Sequence, residues 1–217
     1  MKKSIILANG KAPRKSVINY LRNNGYSTLI CADGGANSAK QIGIVPDYII
    51  GDFDSALPST LKFYKNKAKI IRLKDQNSTD VEKCLNFLIK NNYEEVALTG
   101  VTGDRLDHTF CNLGIVLKYF ARINLNIIAE NSYLRAYTGK VVLETVPRET
   151  ISIYGFDSKT KIKSEGLKYP LQNISLPFGK KESTSNVALS REIKLTVKGG
   201  IIFIIRDYNL MKKNGLL

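Results

Sequence analysis

Over the first 130 residues, short apolar runs alternate with stretches of helical spacing. SIILA (4–8) precedes a helical candidate across 13–23, STLICA (27–32) one across 36–42, and DYIIG (47–51) a segment from Pro58. KIIRL (69–73) precedes a helix at 79–90, EVALTG (95–100) one at 106–120, and LNIIAE (125–130) closes the series. Short apolar strands alternating with helices predict a parallel sheet covered on both faces. The helix at 79–90 has the clearest stripe, with Val81, Cys84, Leu85, Leu88 and Ile89 at i, i+3, i+4, i+7 and i+8. Thr79 and Glu82 stand at the spacing of a capping box, which marks its start.

After about residue 132 the pattern changes. TISIYGF (150–156) and REIKLTVKGGIIFIIR (191–206) are rich in β-branched residues and lack a helical stripe. Ile193, Leu195 and Val197 alternate with polar residues ahead of Gly199-Gly200, a two-residue hairpin signal. The pattern therefore predicts an α/β domain over 1–132, followed by an antiparallel sandwich or barrel over 133–217. No internal repeat, low-complexity tract or long flexible linker interrupts the two.

Composition narrows the class. The chain has 217 residues, enough to bury a substantial core, and at 43% hydrophobic and 24% charged it resembles neither a disordered nor a membrane protein. The first apolar run, Ile5 to Ala8, is too short for a signal-peptide core, and no segment approaches the roughly 18 apolar residues of a membrane span. Cys31, Cys84 and Cys111 are odd in number and lack paired ligand spacing, which fits a reduced cytoplasm rather than a disulfide framework or zinc site. A formal net charge of +14 raises nucleic-acid binding. The lysines are scattered, however, with no dense basic run and little aromatic interleaving, so a generic basic surface or binding of nucleotides accounts for the excess.

In parallel α/β sheets, ligands bind outside the carboxyl ends of the strands. The segments that follow the strands here are ADGGAN (32–37), GDFDS (51–55), KDQNSTD (74–80) and TGVTGDRLDH (99–108). Acidic, polar and glycine-rich residues thus gather at one edge. If strand geometry persists through YIIGDFDS (48–55), Asp52 and Asp54 share a face, and their repulsion calls for a cation or protons. Asp80, in the first turn of its helix, either complements the helix dipole or supplies a third oxygen ligand. A carboxylate set with waters and substrate phosphates suits Mg²⁺ better than a softer metal. Gly34 and Gly35 either turn the chain or let backbone approach a phosphate. Arg105 pairs with neighbouring acids or clamps phosphate, and His108, the single histidine, fits an orienting role better than catalysis.

Several chemistries lack their residues. The chain has no GxxxxGK[ST], no GxGxxG after the first strand, and no GxSxG elbow. A glycosidase pair of carboxylates has no sugar-stacking tryptophan to accompany it.

The ordered set ADGGAN, PDYIIGDFDS, DQNSTD, TGVTGDRLDH and a late TSN resembles the thiamine pyrophosphokinase family, over nearly the whole chain. The resemblance implies a Rossmann-like α/β domain, a C-terminal β-sandwich, and a homodimer with active sites at the subunit interface. It implies transfer of a pyrophosphoryl group from ATP to the hydroxyl of thiamine, giving thiamine diphosphate and AMP. By similarity Asp52, Asp54 and Asp80 would hold Mg²⁺, with Asp80 or Asp54 taking the hydroxyl proton. Asp33, Gly34, Gly35 and Asn37 would lie along ATP, Arg105 on its phosphates, and Asp107 would orient the site. Gln76 and Thr79 would sit near the reacting groups on the thiamine side, and Ser185 and Asn186, supplied by the partner subunit, would line the vitamin's pocket. Some members stack a tryptophan on the pyrimidine ring; this chain has none, so a Tyr, a Phe or an aliphatic wall replaces it. Rival readings are a phosphotransferase or nucleotidyltransferase acting on another small alcohol, and a nucleic-acid-binding module.

Overall fold

A computed structural model describes every residue except Gln76 and Asp104, and the chain divides into two units, Met1–Ala129 and Glu130–Leu217. The first contains β1 (Lys3–Leu7), α1 (Lys15–Asn23), β2 (Tyr26–Ala32), α2 (Gly35–Gln41), β3 (Tyr48–Gly51) and α3 (Pro58–Tyr64). It continues through β4 (Lys69–Arg72), α4 (Asp80–Lys90), β5 (Glu95–Thr99), α5 (Leu106–Tyr119) and β6 (Asn124–Ala129). These strands pair in parallel in the order β6-β5-β1-β2-β3-β4. Successive strand residues point to opposite faces, and all five residues of β5 are buried, so both faces of the sheet are covered there. The stripe expected on α4 packs inward: Cys84, Leu85 and Leu88 are fully buried, and the helix rests on β1, β2 and β3.

The chain runs outward from β1 through β2 and β3 to β4, then returns with β5 on the other side of β1. Connections therefore diverge between β1 and β5, while the two loops stay joined just beyond the strand ends, where the Gly10 N–H donates to the Gly100 carbonyl at 2.7 Å and the Lys11 N–H to the Thr102 carbonyl at 2.8 Å. Such a reversal leaves a crevice at the carboxyl edge of the sheet.

The second unit contains β7 (Ser132–Glu144), β8 (Thr150–Tyr154), β9 (Lys161–Glu165), β10 (Ser183–Val187), β11 (Glu192–Asp207) and α6 (Tyr208–Lys213). The pairs β10-β8, β8-β11, β11-β7 and β9-β11 are all antiparallel. Alternate residues Ile193, Leu195 and Val197 of β11 enter a core with Val141, Leu143, Ile151, Ile153 and Ile162.

The hairpin expected at Gly199-Gly200 does not form. Both glycines lie inside β11, which pairs with β7 on either side of them, and the register shifts between Val197 and Ile202. The glycines serve a bulge instead. Gly199 has φ +82°, and a Cβ on Gly200 would come within 2.0 Å of Thr160 Oγ1. No helix among the described residues is long and apolar enough to cross a membrane.

Candidate active site

The crevice at the β1/β5 reversal is a cleft of about 350 Å³. The loop after β1 contributes Asn9 and Gly10, and the loop after β5 contributes Gly100, Val101 and Thr102. Asp33, Gly34, Asp54, Thr79, Asp80 and Arg105 complete its polar wall.

Glycines let these loops approach closely. A Cβ on Gly35 would lie 2.1 Å from the Leu7 carbonyl oxygen, and one on Gly51 would lie 2.7 Å from Asp33 Cβ. Against Gly51, Asp33 adopts a left-handed backbone, with φ 41°. Its buried carboxylate accepts from the backbone N–H groups of Ser55 (3.2 Å) and Ala56 (3.0 Å). Desolvation nevertheless raises Asp33 to about 6, and the hydrogen bond that its protonated carboxyl donates to the neighbouring Asp54 carboxylate adds to the rise.

Strand geometry does not continue through GDFDS. β3 ends at Gly51, and Phe53 has φ 67°, so Asp52 and Asp54 are not related by strand alternation. Asp52 folds back to accept the Asp54 N–H at 3.3 Å. Asp54 is exposed on the cleft side and accepts the Ser55 hydroxyl at 2.9 Å, the main cause of its lowered pKa. The carboxylates that converge are Asp33, Asp52 and Asp80, whose ligand atoms all lie within 4.8 Å of one another. An all-oxygen donor set fits a hard divalent cation such as Mg²⁺.

Asp80 is placed by the start of α4. Thr79 caps that helix, accepting the Glu82 N–H at 3.3 Å while Glu82 Oε2 accepts the Thr79 N–H at 3.0 Å. One helical turn on, Lys83 extends its ammonium between two acids, 2.9 Å from Asp80 Oδ1 and 3.3 Å from Asp52 Oδ2. Burial disfavours the charged ammonium, but the two carboxylates outweigh it and raise its pKa. Lys83 was not singled out in the sequence, although its i+3 spacing from Asp80 was a usable signal.

Arg105 precedes α5 and is bidentate to Asp107, through Nε at 3.1 Å and Nη2 at 2.5 Å. That bond holds the Asp107 carboxyl down at about 2. His108 and Cys111 also line the cleft, and the buried Asn112 donates to the Val101 carbonyl at 2.8 Å, fixing the loop after β5. Asn37 has a different neighbourhood: its amide donates to the Ser55 carbonyl and accepts from the Leu57 N–H, pinning the 55–57 loop. Gln76 lies outside the described residues.

Ser185 and Asn186 belong to β10 of the second unit. Ser185 has φ 56°, and its N–H donates to Ser152 Oγ at 3.0 Å. Asn186 is 1% exposed. Its side-chain oxygen accepts from the N–H groups of Tyr169 and Val187, and its amide donates to the Tyr169 carbonyl and Ser183 Oγ.

The family model "Thiamin pyrophosphokinase, catalytic domain" matches residues 20–129, and "Thiamin pyrophosphokinase, vitamin B1 binding domain" matches residues 140–202. The chain is 28% identical to thiamin pyrophosphokinase 1 of Caenorhabditis elegans, covering 85% of this chain and 81% of that one. It is 25% identical to thiamine pyrophosphokinase 1 of Oryza sativa subsp. japonica, covering 93% and 86%. The crystal structure of thiamine pyrophosphokinase from Bacillus subtilis superposes with a TM-score of 0.81 at 24% identity, over 96% of this chain and 100% of that one. With one model matching across the sheet and cleft and the other across the second unit, the chain belongs to the thiamin pyrophosphokinase family.

Proposed function

We propose that the chain transfers the pyrophosphoryl group of ATP to the hydroxyl of thiamine, giving thiamine diphosphate and AMP. The observation that carries this reading is the convergence of Asp33, Asp52 and Asp80 beside a cleft at the sheet's reversal point, in a chain of this family. Transfers of this kind ask little covalent chemistry of the protein; positioning and charge stabilisation dominate.

In this reading Asp52 and Asp80 hold Mg²⁺, with Asp33 or Asp54 completing the set. When bound, the ion neutralises phosphate oxygens and the leaving AMP. The loops at Asn9–Gly10, Gly34–Gly35 and Gly100–Thr102 receive the nucleotide, their glycines admitting it close to backbone. Arg105 meets the phosphates, and Asp107 aims its guanidinium. Asp54, which lines the cleft, is assigned to take the hydroxyl proton of thiamine.

The second unit is read as a sandwich-like vitamin-binding and dimerisation domain, acting in a homodimer whose partner completes each site. Asn186 supports this indirectly, because its side chain is spent holding Tyr169. Tyr169 is 59% exposed and stands as the aromatic that replaces the missing tryptophan against the pyrimidine ring. Three free cysteines are consistent with a cytoplasmic enzyme.

Incubation with ATP, Mg²⁺ and thiamine, followed by mass analysis, tests the reading. Thiamine diphosphate together with AMP is expected. Release of ADP or pyrophosphate instead would indicate a phosphotransferase or nucleotidyltransferase.

A further inference from the structure

Lys83 occupies an unusual position for a lysine. It is 5% exposed, and such burial strips an ammonium of water unless fixed anions replace it. Here Asp80 Oδ1 at 2.9 Å and Asp52 Oδ2 at 3.3 Å replace it. The ammonium thus links α4 to the loop after β3, the two segments that bring carboxylates into the acidic group. The bridge uses Asp80 Oδ1 and Asp52 Oδ2, while Asp52 Oδ1 accepts the Asp54 N–H at 3.3 Å. The acidic group of Asp33, Asp52 and Asp80 carries more carboxylates than the one ammonium can neutralise, which leaves oxygens for a divalent ion.

We infer that Lys83 is a positioning residue that acts as a resident cation: it holds Asp52 and Asp80 together without metal and keeps metal affinity low until a nucleotide arrives. This rests on the carboxylates being the metal site of the proposed reaction. A lysine and a divalent ion drawn to the same anions repel each other, so each weakens the other's hold, reciprocally. In the nucleotide-free protein the lysine relieves much of the carboxylate repulsion that would otherwise recruit an ion. Bound triphosphate adds anionic oxygens the lysine does not neutralise, so the ion binds with the nucleotide rather than ahead of it.

The test is a Mn²⁺ titration of the full chain, reading free Mn²⁺ by electron paramagnetic resonance, with and without a non-hydrolysable ATP analogue. Wild type, Lys83→Met, Lys83→Gln and Lys83→Arg are compared, with circular dichroism as the check on folding. Without nucleotide, Lys83→Met is expected to bind Mn²⁺ about tenfold more tightly than wild type, while Lys83→Arg remains close to wild type. Its melting temperature is expected to fall in metal-free buffer and to recover when Mg²⁺ is added. Should Lys83→Met not fold, Lys83→Gln, which keeps a donor without the charge, carries the same comparison. Unchanged or weaker Mn²⁺ binding in the neutral variants, or a melting loss that Mg²⁺ leaves untouched, overturns the inference alone. Wild type that binds no Mn²⁺ even with the analogue overturns the metal assignment as well.

Discussion

Asn186 holds Tyr169 by both of its backbone polar groups: its side-chain oxygen accepts the Tyr169 N–H at 3.1 Å, and its amide donates to the Tyr169 carbonyl at 2.7 Å. A buried side chain thereby fixes an exposed aromatic, and the two substitutions separate. Tyr169→Ala should raise KM for thiamine several-fold with little change in melting temperature, because base–aromatic stacking contributes about 1–3 kcal/mol. Asn186→Ala should cost about 1–3 kcal/mol of stability through unpaired backbone groups, and raise the same KM. Steady-state kinetics and thermal melts check both.

Asp52→Asn and Asp80→Asn each remove one negative charge from the acidic group and leave the sheet untouched. Turnover should fall by about 10²-fold or more, with a near-native circular dichroism spectrum. Wild-type-like turnover in both variants would remove the metal assignment.

Gly35 and Gly51 test the close approach of the loops. Gly35→Ala sets a Cβ 2.1 Å from the Leu7 carbonyl oxygen, which belongs to a central strand. It should cost about 3 kcal/mol or more. Gly51→Ala meets Asp33 Cβ at 2.7 Å, so it should displace that carboxylate and weaken Mn²⁺ binding measured with a nucleotide analogue. Urea melts and Mn²⁺ titration read the two effects.

Asp33 gives the metal-free protein a pH dependence of known sign. Its folded pKa of about 6 lies above the ordinary aspartate value of 3.8, so the folded state holds the proton more tightly between those values. Its contribution is therefore most favourable below about 4 and is lost as pH rises through 6, by at most about 1.4 kcal/mol per pH unit. The stability difference between wild type and Asp33→Asn should move in favour of the variant between pH 4 and pH 7. Urea melts in chelator-treated buffer measure it, and a difference independent of pH would contradict the shift.

Local order was legible because it depends on neighbours in sequence. The spacing of Val81, Cys84, Leu85 and Leu88 gave α4, and Thr79 with Glu82 gave the cap that starts it. Gly199-Gly200 misled for the same reason: a glycine pair signals backbone freedom, and freedom serves a bulge as well as a turn. Only the pairing of β11 with β7 on both sides of it, and Thr160 packed against Gly200, distinguish the two.

The sequence by itself determined the succession of strands and helices, the polar loops at the strand ends and the family, because periodicity, caps and ordered motifs are written along the chain. The tertiary structure decided which acids meet. A left-handed Phe53 ends the strand alternation expected to relate Asp52 and Asp54, while the β1/β5 reversal and the α4 cap bring Asp33, Asp52 and Asp80 together around Lys83. Convergence of side chains nearly fifty residues apart depends on how loops are aimed by the sheet beneath them, and spacing along a chain carries no record of that.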